Sequence, residues 1–175
     1  MRLLRRLRAI GLPQWRLVAG CLYQTVWNVL TDRPRGTGIK DYDLTYFDPH
    51  DCSWEAEDAI IKRVTAAVQD CPGPVEVRNQ ARVHLWFEAH FGEAYAPLTC
   101  TDEALARFVA PAFAVGVRLE ADGRLDIAAP FGLNDLFAMR LRPNPLRGLA
   151  DGWEKVTASA QARWPEVMID AAGAG

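Results

Sequence analysis

The chain has 175 residues, of which half are hydrophobic and 24% are charged, and its formal net charge at pH 7 is −2. This length is sufficient for one domain with a substantial core, and the charge gives no electrostatic basis for nonspecific binding to nucleic acid. The four cysteines are separated by 31, 19 and 29 residues, so no C-x-x-C pair exists and the usual zinc sites are disfavoured.

The chain begins with residues 2–12, where four arginines alternate with leucines and an isoleucine. This pattern predicts an amphipathic helix that packs on the domain, with a helix lying on a membrane surface as the alternative. No segment reaches the roughly 18 apolar residues of a membrane span, and the first residues lack the apolar core of a secretory signal. We therefore expect a cytoplasmic protein that does not bind membranes and whose cysteines are reduced.

A strand, a glycine and a helix are predicted next. Residues 15–20 (WRLVAG) form a short apolar run that ends at Gly20, and residues 21–30 follow with Leu22, Val26 and Val29 on one helical side. This order places unpaired backbone N–H groups at the start of the helix, which is an arrangement that binds anions.

The loop 31–40 carries basic residues and leads into residues 36–48 (GTGIKDYDLTYFD). The β-branched and aromatic residues here predict a strand, on which Asp41 and Asp43 point to the same face about 6.5 Å apart. Two carboxylates this close repel each other, and a hard divalent cation such as Mg²⁺ would remove that cost. The alternative is a half-buried edge strand with two solvated aspartates.

The remaining elements follow from period and turn residues. In chain order they are a helix at 53–69 capped by Asp51 or Ser53, a strand at 75–78, a helix at 79–91 that ends at Gly92, a hairpin around Asp122 and Gly123, a short helix from Asn134 or Asp135, and a last helix at 149–164. We predict an α+β fold: a mixed sheet of four or five strands with helices packed on it, plus a C-terminal hairpin and helices. Residues 1–170 are expected to form a single domain, with a disordered tail at 171–175.

A third acid joins the aspartates in this pattern. Glu76 alternates with Val75 and Val77 on the strand at 75–78, 35 residues after Asp41. This separation leaves room for one helix and a return into the same sheet. Three carboxylates on neighbouring strands would form an oxygen cage for two divalent ions, which can clamp the attacking and leaving oxygens of a phosphoryl displacement.

The sequence then resembles a known superfamily. A glycine at a helix start, a D-x-D strand and a later strand with one acid are the pattern of the nucleotidyltransferase superfamily that includes DNA polymerase beta. More closely, VAGCLYQTVWN, IKDYDLTYFD, VEVRNQARVHLWF, APFGLNDLF and RPNP resemble a bacterial family of small nucleotidyltransferase-like proteins, over about residues 12–166. The resemblance specifies the family and its chemistry, but no particular substrate.

The resemblance implies a role for individual residues. Asp41 and Asp43 match the paired ligands of Mg²⁺ or Mn²⁺, and Glu76 matches the third catalytic acid, while Gly20 matches the glycine that approaches the triphosphate. Lys40 and Arg78 are candidates for phosphate contacts, and Arg78 has the alternative role of an ion pair with Glu76 or Asp43. The implied reaction moves a nucleoside monophosphate from a nucleoside triphosphate to an unidentified acceptor.

Two departures from the superfamily pattern keep alternatives open. The residue after Gly20 is Cys21 rather than a small hydroxyl residue, and the 21 residues from Gly20 to Asp41 are more than the superfamily usually has. Cys21 is therefore a weakened candidate for nucleotide binding, since a thiol is a poor hydrogen-bond donor. A catalytically silent relative that binds a nucleotide or a protein is the alternative function. A nucleic-acid-binding or toxin–antitoxin partner is weaker, because the chain is not basic.

Overall fold

The computed structural model of the protein describes residues 1–147 and 152–170. The helices of this part of the chain are α1 Arg2–Ile10, α2 Gly20–Leu30, α3 Trp54–Ala67, α4 Phe87–Phe91, α5 Thr101–Leu105, α6 Asn134–Phe137 and α7 Trp153–Arg163. The strands are β1 Arg16–Val18, β2 Tyr42–Tyr46, β3 Val75–Asn79, β4 Gly116–Leu119, β5 Leu125–Ala128, β6 Arg140–Leu141 and β7 Met168–Ile169. Two single-turn 3₁₀ helices lie at Val83–Leu85 and Pro111–Phe113.

Five strands form one mixed sheet in the order β3-β2-β1-β4-β5. The strands β2 and β3 are parallel and are joined by α3, whereas the other neighbours in the sheet are antiparallel. This confirms the predicted α+β fold with a mixed sheet. The predicted hairpin supplies two of the five strands, because β4 pairs with β1, and Gly123 turns it with a φ of 85°.

One face of the sheet is covered by α1 and α3. Leu17, Leu44 and Val77 alternate onto this face and pack against Leu7 of α1 and Val64 of α3, which are almost completely buried. As predicted, Ser53 caps α3, since its hydroxyl accepts a hydrogen bond from the N–H of Ala56 at 3.2 Å. Because strand side chains alternate, this burial sends the intervening residues of β1, β2 and β3 to the other face.

The helix α2 packs on a second core with a face other than the predicted one. Val29 is 51% exposed, whereas Trp27 and Asn28 are fully buried. Trp27 donates its indole N–H to the carbonyl of Leu136 at 2.9 Å, and Asn28 accepts from the indole of Trp164 at 3.0 Å. The polar side of the helix is therefore buried, because its hydrogen bonds are satisfied internally.

The predicted helix at 79–91 is wrong over its first part and is present only as α4 from Phe87. Asn79 ends β3, and the chain then forms a 3₁₀ turn before α4 begins at Phe87. The buried side chain of Asn79 accepts hydrogen bonds from the N–H groups of Asp48 and Ala81 and donates to the carbonyl of Asp48. These bonds fix a turn directly after β3 and thereby compete with helix formation. Gly92 ends α4, as predicted.

The predicted first and last helices are present, but their bounds differ from the predicted ones. The first helix ends at Ile10 and is followed by Gly11, and the last helix spans Trp153–Arg163. The predicted start of that helix at 149–151 and the predicted disordered tail at 171–175 lie outside the described residues. All four cysteines lie within the described ranges and are free thiols. Across the described ranges, no helix is both long and apolar enough to cross a membrane.

Candidate active site

The junction between β1 and α2 has a strained backbone. Ala19 adopts φ 49° and ψ −111°, which residues other than glycine rarely adopt. Its carbonyl accepts the first hydrogen bonds of α2, from the N–H groups of Leu22 and Tyr23 at 2.9 and 3.1 Å. The N–H groups of Gly20 and Cys21 precede these bonds and belong to the unpaired donors of the helix start.

Gly20 lies directly in front of the two aspartates. A Cβ atom added at Gly20 would lie 3.8 Å from Oδ2 of Asp43 and 4.0 Å from Oδ1 of Asp41. Both carboxylates therefore converge on the space beside the start of α2, across 21 residues of sequence. A larger residue at position 20 would occupy this space and separate the backbone from the acids.

Asp43 is the electrostatic centre of the group. It lies opposite Val18 on β1 and opposite Glu76 on β3 in the register of the sheet. The pKa of Asp43 is raised to about 6. Partial burial is the largest cause, and the negative charges of Asp41 and Glu76 add to it, although Arg78 opposes the shift. The shift means that the charged form of Asp43 lacks sufficient compensation by positive groups.

Glu76 faces the aspartates from the neighbouring strand β3 and forms an ion pair with Arg78 of the same strand. Its side chain is 52% exposed and lies 3.8 Å from Nη2 of Arg78, which is an ion pair but no hydrogen bond. Arg78 instead donates to the carbonyl of Val77 at 2.9 Å. Arg78 therefore lies on the β3 side of the acids, whereas Gly20 lies on the β1 side.

The three acids do not form a preassembled metal cluster. In residues 1–147 and 152–170, no three His, Cys, Asp or Glu side chains are arranged closely enough to hold a metal ion. Asp41 and Asp43 share one space beside Gly20, and Glu76 faces it from β3 without joining them.

One predicted nucleotide-binding side chain, that of Cys21, is not directed at this space. Cys21 is 4% exposed, belongs to the core beneath α1 and α3, and directs its thiol at the carbonyl of Val18. Burial, together with the charge of Asp43, raises the pKa of this thiol to about 12, so Cys21 offers the site its backbone N–H alone. Lys40 is exposed beside Asp41, and its side chain has no hydrogen-bond or ion-pair partner among the described residues.

Gln24 and Arg163 lie at the site, and the sequence interpretation missed both. Nε2 of Gln24 is 3.4 Å from the added Cβ at Gly20, and Oε1 accepts from Nη1 of Arg163 at 3.3 Å. The guanidinium of Arg163 stacks on Trp164 and lies against Gly38 of the loop before β2. Gln24 is one helical turn after Gly20, so the i, i+4 spacing could have identified it. No local signal connects Arg163 to residues 139 positions earlier.

Asn28 holds the loop that carries the aspartates. Its side-chain amide donates to the carbonyls of Arg35 and Thr37 at 3.2 and 2.8 Å, while its oxygen accepts from Trp164. One fully buried side chain thus joins α2, the loop before Asp41 and the end of α7. The loop is therefore fixed over the site rather than freely solvated.

A further cation on this face is already neutralised. Arg16 of β1 is 5% exposed and forms a bidentate ion pair with Asp102 of α5. It also donates to the carboxylate of Asp126 at 3.1 Å. Arg16 therefore ties β1 to α5 and β5 and does not offset the charge of Asp43.

The raised pKa of Asp43 predicts a specific pH dependence of stability. Since the folded-state pKa of about 6 exceeds the ordinary value of 3.8, folding favours the protonated form. The contribution of Asp43 to stability is present at low pH and is lost as pH rises through this window. We expect Asp43→Asn to raise the free energy of unfolding by on the order of 2 kcal/mol at pH 8 without divalent ions, and to change it little near about pH 3.5.

Urea unfolding of both proteins across this pH range measures the difference. The control is Asp58→Asn, which removes an aspartate that pairs with Lys62 on α3, remote from the site. The control is expected to be nearly neutral or slightly destabilising at pH 8. A destabilising Asp43→Asn whose effect does not change with pH would contradict the electrostatic description.

Comparison with known proteins agrees with this fold. An NMR structure described as revealing a CCA-adding enzyme head domain superimposes with a TM-score of 0.76, covering 97% of this chain and 88% of that chain at 24% identity. At this identity the likeness shows the fold alone. No curated protein sequence matches the chain significantly. A family model described as Nucleotidyltransferase matches residues 5–169, which is almost the whole chain, and the protein therefore belongs to this nucleotidyltransferase family.

Proposed function

We propose that the protein is a metal-dependent nucleotidyltransferase that moves a nucleoside monophosphate from a nucleoside triphosphate to an acceptor. The observation that carries this proposal is the convergence of Asp41, Asp43 and the backbone at Gly20 on one space. Family membership supplies the general reaction. The named side chains supply the metal ligands and the phosphate contacts.

The donor chemistry of the site fits Mg²⁺ or Mn²⁺. Carboxylate oxygens are the ligands these hard ions prefer, and the raised pKa of Asp43 reflects an uncompensated negative charge that a cation would offset. Asp41 and Asp43 would hold the ion, and Glu76 would complete the set by leaving Arg78. When bound, the metal would neutralise charge on the phosphates and organise their oxygens.

The start of α2 would receive the triphosphate. The N–H groups of Gly20 and Cys21 are directed along the helix axis, where the partial positive charge of the helix favours an anion. Arg163, held by Gln24, and the exposed Lys40 would add cations on either side. The helix start and Arg163 would bind and orient the leaving pyrophosphate, because Gly20 follows β1 and Arg163 contacts Gln24 of the same helix.

Glu76 would act on the acceptor side. It is the acid farthest from Gly20 in the sheet order, and its half-exposed carboxylate is accessible to an incoming hydroxyl group. It would accept the proton of that hydroxyl as the oxygen attacks the α-phosphate and the bond to pyrophosphate breaks.

A catalytically silent nucleotide-binding relative is the second candidate function. The observation that favours it is the pairing of Glu76 with Arg78, since the third acid does not join Asp41 and Asp43. Such a protein would retain nucleotide affinity at Gly20 and Arg163. It would release no pyrophosphate with any acceptor.

The proposal predicts metal-dependent nucleotide binding. Calorimetric titration with ATP, GTP, CTP and UTP is expected to show binding of at least one nucleotide with Mg²⁺ or Mn²⁺, and affinity at least about tenfold weaker with chelator. Asp41→Asn and Asp43→Asn should each remove the metal dependence while the fold is retained, whereas Asp58→Asn should not. Failure of all four nucleotides to bind would refute the proposal, and binding without pyrophosphate release would favour the silent relative.

The proposal also predicts a role for Arg163 in phosphate binding. Arg163→Ala is expected to weaken nucleotide binding about tenfold, because it removes a charge-assisted contact to the triphosphate. The matched control is Lys155→Ala, which removes an exposed cation from the same helix two turns away. Calorimetry of both variants, with thermal unfolding to verify their folds, measures the effect. Equal affinities for the two variants would contradict this role.

A further inference from the structure

A cavity of about 280 Å³ opens on the sheet face that carries the acids. Thr45 and Arg78 form one of its walls, and they are paired in the register two residues beyond Asp43 and Glu76. Because strand side chains repeat every second residue, this wall lies on the same face as the acids, about 7 Å further along the strands.

This inference rests on the proposed function. The position of the cavity agrees with the direction from which an acceptor would attack in that reaction. In phosphoryl transfer the attacking and leaving oxygens lie roughly in line on opposite sides of phosphorus. Gly20 follows β1, and Arg163 contacts Gln24 of α2, whereas Arg78 in the cavity wall belongs to β3. An acceptor in this cavity would approach from the side opposite the leaving pyrophosphate.

Aromatic rings form the apolar part of the cavity. Trp86, Phe87 and Tyr95 line it, and the rings of Phe87 and Tyr95 are 4.5 Å apart with a tilt of 39°. Phe87 and the guanidinium of Arg107 already lie against the ring of Tyr95, at 4.5 and 4.2 Å. The indole of Trp86, whose centroid is 6.1 Å from that of Phe87, is the aromatic surface available to a planar ring. The volume suffices for one such ring and a small substituent, and is close to the lower limit for ligand pockets.

The guanidinium groups of three arginines form the polar part of the cavity lining. Arg147 is neutralised by Glu93, and Arg78 lies 3.8 Å from Glu76 without a hydrogen bond to it. Arg107 lies over the ring of Tyr95 at 4.2 Å and donates to the carbonyl of Ala96, and it has no carboxylate within ion-pair distance among the described residues. The cavity is therefore positively charged at Arg78 and Arg107, which favours an anionic substituent on the ligand.

We infer that this cavity is the acceptor site, and that the acceptor is a small molecule with a planar ring and an anionic group such as a phosphate or carboxylate. The ring packs against Trp86, beside Phe87 and Tyr95, and the anionic group pairs with Arg107 and Arg78. The hydroxyl group to be modified then faces Glu76. A neutral acceptor or a polymer without such a ring would not use these groups.

The test is an NMR titration of the full chain with small probes and no nucleotide. Phenyl phosphate carries ring and charge, phenol carries the ring alone, and inorganic phosphate carries the charge alone. We expect phenyl phosphate to shift amide resonances around Arg78, Phe87 and Tyr95, with an affinity about tenfold higher than either partial probe. Arg107→Gln and Arg78→Gln should each reduce this affinity about tenfold, whereas Arg124→Gln at the exposed hairpin turn should not.

Three results would overturn the inference: no binding of phenyl phosphate, equal binding of inorganic phosphate, or binding that neither arginine variant weakens. The spectra of the variants also report their folds, and Arg78→Gln keeps the test valid if Arg107→Gln disturbs the loop, because Arg78 is half exposed. The titration contains no nucleotide, so its failure leaves the nucleotide-binding result intact. Conversely, if the protein binds phenyl phosphate but no nucleotide, the cavity remains supported as a ligand site and the proposed nucleotidyltransferase function is refuted.

Discussion

The alternation of β2 is the constraint on which the site depends. Leu44 and Tyr46 are buried beneath α1 and α3, so Asp43 and Thr45 must point to the opposite face. Parallel pairing with β3 then places Glu76 beside Asp43 and Arg78 beside Thr45. A shift of this register by one residue would bury the acids and expose the core, which makes the arrangement hard to lose while the protein remains folded.

The arrangement has an energetic cost that the surrounding structure offsets. The acids repel each other, and Ala19 adopts a strained conformation beside them. Buried polar groups nearby stabilise the fold and offset this cost, because their hydrogen bonds are made. The clearest example is Asn28, which forms three hydrogen bonds to two other segments of the chain. Strain and unpaired charge that a well-packed frame maintains are typical of sites that bind a ligand.

The sequence predicted the parts of the site that depend on local periodicity. The alternation of Asp43 and Glu76 on their strands and the glycine at the start of α2 follow from spacings of two residues and from turn chemistry. The structure brings Asp43 on β2, and Asp41 directly before it, beside Gly20, whereas Glu76 faces them from β3 without joining them. The apolar pattern of α2 gave no sign that its polar residues Gln24 and Asn28 are buried, because their burial depends on hydrogen bonds to Arg163 and Trp164 far along the chain. Arg163 and the aromatic cavity depend on contacts between distant segments, which no local pattern encodes. The turn at Asn79 depends likewise on a side chain that bonds to Asp48, 31 residues earlier.

The central claim is that Asp41, Asp43, Glu76 and the start of α2 form one metal–nucleotide site. Paramagnetic broadening of amide resonances by Mn²⁺, in the presence of a nonhydrolysable nucleoside triphosphate, tests it most directly because it locates the ion. The account predicts broadening centred on Gly20, Cys21, residues 41–43 and Glu76, which Asp43→Asn abolishes. Broadening centred elsewhere, or broadening that Asp43→Asn leaves unchanged, would contradict it.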